Sequence, residues 1–228
     1  MEKTLKIGHR GAKGHEPENT LVSFEKAIAL GADGIELDVH LSSDGHLIVI
    51  HDETVDRTTN GKGAVNQMTL EEIKSFQIDA KHEIPTLIEV LDLVNQRCFV
   101  NIEIKGEGIA EQVVDVIERY VSEKKWKLDH FLVSSFDWNS LQQVRFLNEN
   151  IRIGVLTETN LDLAFSFARF MKAEALHPDF QLLTKEFTDK IQQKEILVFP
   201  WTVNETEDIQ RIKSFNVDGI ITDFLDRI

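Results

Sequence analysis

Seven residues in or at the ends of short apolar runs carry side chains that can hold a metal ion, bind an anion and move protons. His9 and Arg10 follow Leu5-Lys6-Ile7-Gly8, Glu36 and Asp38 lie within Gly34-Ile35-Glu36-Leu37-Asp38-Val39, and His51 closes Leu47-Ile48-Val49-Ile50. Glu103 and Lys105 lie in Asn101-Ile102-Glu103-Ile104-Lys105. Residues two apart on a strand share a face about 6.5 Å apart, so Glu36 and Asp38 point the same way. Three carboxylates converging in a low-dielectric interior repel one another and are costly to desolvate. One hard divalent cation resolves that conflict, and all-oxygen ligation selects Mg²⁺ or Ca²⁺ over zinc. The other resolution is a structural charge network in which the carboxylates pair with Lys105 and Arg10. His9 and His51 titrate near neutrality and can exchange protons, one with a nucleophile and one with a leaving oxygen. Arg10 can grip phosphoryl oxygens by its fork and Lys105 as a point charge. Trp201, closing Phe199-Pro200-Trp201, suits a wall for the substrate.

These side chains need a scaffold that collects strand ends. Strands are expected near 5–9 and 34–39, with a helix between them that carries Leu21, Phe24, Ala27, Ile28 and Leu30 on one face and is capped by Glu18-Asn19-Thr20. Only Ser42-Ser43-Asp44-Gly45 separates the second strand from the run 46–51. A parallel crossover needs a dozen residues, so this connection is a hairpin that returns His51 to the level of Asp38. The stretch 53–85 is turn-rich, with a short helical piece near 70–73, and reads as an insertion over the site. Beyond it the spacing predicts helices over 87–94, 110–121, 141–147, 161–171, 185–193 and 208–215. Strands are expected over 99–105, 131–135, 151–156, 175–178, 196–202 and 219–222. Eight parallel strands beside the hairpin arm give an α/β fold, a closed TIM-type (β/α)8 barrel with a small insertion after a β-hairpin, and such barrels gather their chemistry at the strands' C-terminal ends. One catalytic domain over 1–228 is expected. His40 shares the carboxylate face but sits towards the turn, where exposure is expected. His177 and Phe180, after a later strand, are candidates to line the pocket.

The chain has 228 residues, of which 42% are hydrophobic, enough for one large core. Its 25 basic and 39 acidic residues leave a formal charge of −14, which argues against nucleic acid or an anionic membrane as a partner and requires an anionic substrate to be captured locally. Cys98 has no partner for an intrachain disulfide and is expected in the core. No run reaches the roughly 20 apolar residues of a membrane span, so no membrane anchor and a cytoplasmic location are expected.

The chain resembles the glycerophosphodiester phosphodiesterases. The matching segments include His9-Arg10-Gly11, Pro17-Glu18-Asn19-Thr20, Glu36-Leu37-Asp38-Val39, His51-Asp52, Asp56-Arg57-Thr58-Thr59-Asn60-Gly61, Ile102-Glu103-Ile104-Lys105, Trp201-Thr202-Val203-Asn204 and Asp218-Gly219-Ile220-Ile221-Thr222-Asp223. The resemblance implies a divalent ion on Glu36, Asp38 and Glu103, His9 and His51 as the acid–base pair, Arg10 and Lys105 on the phosphate, and Trp201 near the substrate. It implies conversion of a glycerophosphodiester and water to sn-glycerol 3-phosphate and an alcohol, through attack of the glycerol 2-hydroxyl on phosphorus and opening of the cyclic phosphate by water. Glycerophosphocholine and glycerophosphoethanolamine are the expected type of substrate. Between Phe76 and Pro85 the chain is shorter than many relatives, which leaves the choice of alcohol open. A lysophospholipase D-type hydrolase would call for an apolar channel. A barrel that binds a phosphorylated metabolite without turning it over would bind a diester and release no product.

Overall fold

A computed structural model describes residues 4–228 of the chain. The period-two pattern of β2 (Gly34–Leu41) organises it. Ile35, Leu37 and Val39 turn outward into the main core against helices, while Glu36 and Asp38 turn into the barrel. The parallel strands β1 (Leu5–Gly8), β4 (Phe99–Ile104), β5 (Phe131–Ser135), β6 (Ile153–Thr157), β7 (Ala175–Pro178), β8 (Leu197–Val198) and β9 (Gly219–Thr222) join β2 in the order β8-β7-β6-β5-β4-β2-β1-β9. The fold is a nearly closed (β/α)8 barrel of the TIM type.

The strand expected over 196–202 shortens to Leu197–Val198, because Pro200 has no amide hydrogen for a ladder. The seam between β8 and β9 is closed by single bonds instead: Ile221 N–H donates to Pro200 O at 3.0 Å and Val203 N–H to Ile221 O at 3.0 Å. The outer layer comprises α1 (Leu21–Ala29), α3 (Leu87–Val94), α4 (Ala110–Glu123), α5 (Trp138–Leu147), α6 (Leu161–Met171), α7 (Lys185–Gln192) and α8 (Thr206–Ser214). Helix α2 (Leu70–Lys74) belongs to the 53–85 stretch. Helix α5 starts earlier than its apolar spacing implies, because Asp137 caps it by accepting from Asn139 and Ser140 amides.

The expected hairpin is present. β3 (Leu47–Val49) runs antiparallel to β2, with Val39 opposite Val49, and Ile50 N–H donates to Asp38 O at 3.1 Å, so His51 emerges one residue past Asp38. The stretch that follows has its own apolar cluster, in which Ile48 and Ile50 of the arm pack with Val55, Val65, Ile73, Ile78 and Ile84. Inside the barrel, Ile7, Leu132, Ala175, Phe199 and Ile221 form an apolar plug. Cys98 is buried just before β4, as expected, and burial pushes its thiol up to about 12. No helix among the described residues is long and apolar enough to cross a membrane.

Candidate active site

The turn after β1 is pinned on all sides. Arg10 has a left-handed backbone (φ +50°), and its amide donates to Glu36 Oε2 at 2.8 Å. Its carbonyl accepts from Ser23 Oγ at 2.9 Å and from Asn19 N–H at 3.0 Å. Gly11 follows at φ +86°, and a Cβ there would stand 2.4 Å from Ser23 Oγ, so α1 can approach only a glycine. The Arg10 side chain thereby reaches Glu18 Oε1 through Nη1 at 2.8 Å and Asp38 Oδ2 through Nε at 3.3 Å. Asn19 adds a 2.8 Å bond from Nδ2 to Asp38 Oδ2.

The three carboxylates do meet. Glu36, Asp38 and Glu103 each bring an oxygen within 4.8 Å of the others, and all three are buried. In-register pairing of β2 with β4, which sets Asp38 beside Glu103, produces the cluster. Burial, then the charges of Asp38 and Glu103, hold the Glu36 carboxyl well above the usual range, and burial with the Asp38 charge lifts Glu103 to about 7. The expected charge network also exists, since Lys105 Nζ lies 2.7 Å from Glu103 and 3.6 Å from Asp38. It leaves Glu36 Oε1 and the neighbouring Asn101 Oδ1 buried without a hydrogen-bond partner among the described residues. Three carboxylates against two cations, with orphaned oxygens between them, fit an oxygen-ligated dication.

Each candidate histidine holds a carboxylate with Nδ1 and so directs Nε2 to other partners. His9 Nδ1 is 2.7 Å from Asp223 Oδ1, and His51 Nδ1 is 2.7 Å from Asp52 Oδ1. Burial lowers the pKa of both imidazoles, against the pull of these carboxylates. Asn204 Nδ2 holds the far oxygen of Asp223 at 2.8 Å. Arg57 grips Asp52 with Nε at 2.7 Å and Nη2 at 2.9 Å, and its hydrogen bonds hold Asp52 well below the usual carboxylate range. Arg57 also binds Glu18, whose burial is outweighed by the two arginines, leaving it at about 2. Both imidazoles, Arg10, Glu36, Glu103 and Lys105 line one cavity of about 210 Å³, smaller than the usual drug-sized pocket and suited to a small polar molecule.

Residues 9–227 match the model of the glycerophosphoryl diester phosphodiesterase family. The chain belongs to that family. A glycerophosphodiester phosphodiesterase of Caldanaerobacter subterraneus subsp. tengcongensis is 44% identical, covering 97% of this chain and 94% of its own. One from Bacillus altitudinis is 41% identical over 97% and 95% of the two chains. A phosphodiesterase of Oleispira antarctica, solved with its product sn-glycerol-3-phosphate, superposes with a TM-score of 0.89 at 26% identity, covering 98% and 94%. The present chain is thus an enzyme, a phosphoric diester hydrolase.

Within this glycerophosphoryl diester phosphodiesterase, His9, Arg10, Glu36, Asp38, His51, Glu103, Lys105 and Trp201 come together at one end of the barrel. Trp201 lines the cavity, its Nε1 donating to His177 O at 2.8 Å. Two expectations need correction. His40 is buried rather than exposed, because its Nε2 bonds the His51 carbonyl at 3.0 Å and ties the arm to β2. Phe180 does not line the cavity. Asp179 starts a short 3-10 turn there, and Phe180 packs on the outer core with the Arg211 guanidinium 5.5 Å from its ring. Residue type alone does not mark Asp52, Arg57, Glu18, Asn19, Asn204 or Asp223 for the site, although each stands in a segment that matches the family.

His177 lines the cavity yet is fully buried, with neither ring nitrogen hydrogen-bonded among the described residues. Burial, then the Arg152 charge, lowers its pKa to about 3. The unfolded chain, with an ordinary histidine pKa near 6.5, takes up a proton on acidification that the folded form refuses. Stability linked to this residue is therefore complete above pH 6.5 and is lost as pH falls towards 3. About 2 kcal/mol should go between pH 7 and 5, and His177→Gln should flatten that part of the pH profile in paired denaturant melts.

Proposed function

We propose that the chain hydrolyses water-soluble glycerophosphodiesters to sn-glycerol 3-phosphate and an alcohol, with His9 and His51 as the acid–base pair and one divalent cation, Mg²⁺ or Ca²⁺, on Glu36, Asp38 and Glu103. The observation that carries this reading is a single cavity lined by two carboxylate-held imidazoles, the cationic side chains of Arg10 and Lys105 and the edge of a buried acidic triad. When bound, the cation supplies Lewis acidity at the phosphoryl group and lowers the pKa of the attacking hydroxyl.

Charge balance supports the assignment. The three carboxylates, Arg10 and Lys105 sum to one negative charge, a dication brings the set to one positive, and a phosphodiester monoanion brings it to neutrality. Arg10 and Lys105 hold the phosphoryl oxygens, orienting phosphorus between the two rings. One imidazole takes the proton of the glycerol 2-hydroxyl as its oxygen bonds to phosphorus, and the other protonates the departing alcohol oxygen as its P–O bond breaks. The roles then reverse, with water opening the cyclic phosphate and both rings returning to their starting states. With Nδ1–H committed to a carboxylate, a neutral ring offers the Nε2 lone pair as base, and the protonated ring offers Nε2–H as acid. We read 1–228 as one catalytic barrel domain with 53–85 as an insertion that delivers Arg57, and we assign it to the cytoplasm, consistent with a single buried cysteine.

An assay of glycerol 3-phosphate release from a panel of glycerophosphodiesters, with Mg²⁺ or Ca²⁺ and again with excess chelator, tests this. Product is expected only with the ion. Tight diester binding with no product after long incubation would instead support a binding barrel.

A further inference from the structure

The outer helices differ in what they show to solvent. α1, α3, α4, α6, α7 and α8 each expose a charged side chain, Glu25, Asp92, Glu118, Asp162, Glu186 and Glu207 in turn, whereas the exposed residues of α5 are Asn139, Gln142, Gln143, Phe146 and Leu147. The first four of these recur at i, i+3, i+4 and i+7 and form one uncharged stripe. The stripe runs along an open groove of about 1050 Å³, walled by Gly108 and Glu111 near the start of α4 and by Phe170 and Met171 at the end of α6. Phe146 is 91% and Phe170 79% exposed, and Leu163, two turns before Phe170, is 56% exposed. Arg145, which also borders the groove, is spent on Glu174 at 2.9 Å and on the carbonyls of Ile151 and Lys172.

We propose that this face binds a second copy of the chain, α5 against α5 across a two-fold axis. At such a contact a residue near the axis meets itself. A charged side chain then repels its own kind, whereas Asn and Gln carry both a donor and an acceptor and can pair with themselves. Two chains of formal charge −14 repel each other over the charged faces of the other helices, so the uncharged stripe is where they can approach. The face also carries both halves of a contact. Antiparallel α5 helices centred near Gln142 lay Phe146 of each copy into the other's groove beside Asn139, where a Cβ on Gly108 would meet nothing within 4 Å and the wall is open. The two phenylalanines with Leu147 and Leu163 expose on the order of 500 Å² per copy, so a pair covers about 1,000 Å² of apolar surface and, with a polar rim, reaches the roughly 1,200–2,000 Å² of a stable association. Helices of this barrel run opposite to its strands, which sets Phe146 and Phe170, late in α5 and α6, towards the end away from the catalytic cavity. Both cavities of the pair stay open.

Sedimentation velocity of the full chain, from about 1 to about 100 µM, reads the association. A species of twice 26.1 kDa is expected, with a dissociation constant in the micromolar range or below. It should tighten between about 0.15 M and about 1 M salt, because screening relieves the repulsion of two anionic copies and leaves the apolar contact intact. Phe146→Glu should raise the dissociation constant about thirtyfold or more, Phe170→Ser should raise it too, and Glu207→Gln on α8 should leave it unchanged. Both phenylalanines are exposed, so circular dichroism and glycerol 3-phosphate release per chain should stay at wild-type values in these variants. A wild type that remains monomeric at the highest concentration, or a dimer untouched by both phenylalanine variants, would overturn the proposal. So would a monomeric chain that floats with phosphatidylcholine vesicles and loses that binding in Phe146→Glu, which would make the face a lipid-docking one.

Discussion

Replacing His51 by alanine is expected to lower turnover of a glycerophosphodiester by about 10²–10⁴-fold, the usual worth of a positioned acid or base. The substitution leaves the triad and Arg10 in place, so KM and metal affinity should move little while kcat collapses. Asp52→Asn should fall between the wild type and His51→Ala. Its amide keeps a partner for Nδ1 but no longer supports a charged ring, and it gives up the ion pair with Arg57. His9→Ala should match His51→Ala in size, and the double variant should cost far less than the product of the two, because either proton transfer alone leaves the step incomplete. Steady-state kinetics on the metal-loaded proteins checks the set, and full activity in His51→Ala would remove His51 from the mechanism.

Glu36→Gln is expected to act in opposite directions on activity and on stability. Losing one of three oxygen ligands should abolish measurable metal binding and with it nearly all product formation. The metal-free protein, however, should become more stable by on the order of 1–3 kcal/mol. In the wild type, burial and the charges of Asp38 and Glu103 disfavour the ionised Glu36, and the glutamine carries no charge while its carbonyl can still accept from the Arg10 amide. Denaturant melts with and without Ca²⁺ read this directly. The wild type should gain stability with the ion, the variant should not, and the two curves should cross. A Glu36→Gln protein less stable than the wild type in chelator would mean that the triad is held by its lysine and arginine alone.

How much of this could be read from residue order depended on the kind of signal each group leaves. Glu36 and Asp38 announced themselves because alternation on β2 is strict and needs no tertiary knowledge. Glu103 could be added because β4 repeats the pattern. His51 came from counting: four residues allow a hairpin and nothing longer. Asp223 gave no such sign, since its contact with His9 spans 214 residues and exists only because β9 closes against β1. Arg57 lies in a turn-rich stretch where spacing carries no period, and its double grip on Asp52 and Glu18 depends on how the insertion packs. His40 is buried although it lies towards the turn, because a carbonyl of the returning arm lies within reach of its ring. The strand is shorter than the run 196–202 because apolar content does not register the missing amide of Pro200.

Glu18 occupies a junction whose meaning extends beyond the two guanidinium groups it receives. Arg10, Glu18, Arg57, Asp52 and His51 form an unbroken run of ionic hydrogen bonds from the oxyanion grip to one proton carrier. The grip on an oxyanion and the orientation of one ring are therefore built from one network, so a substitution at Glu18 should disturb both ends at once.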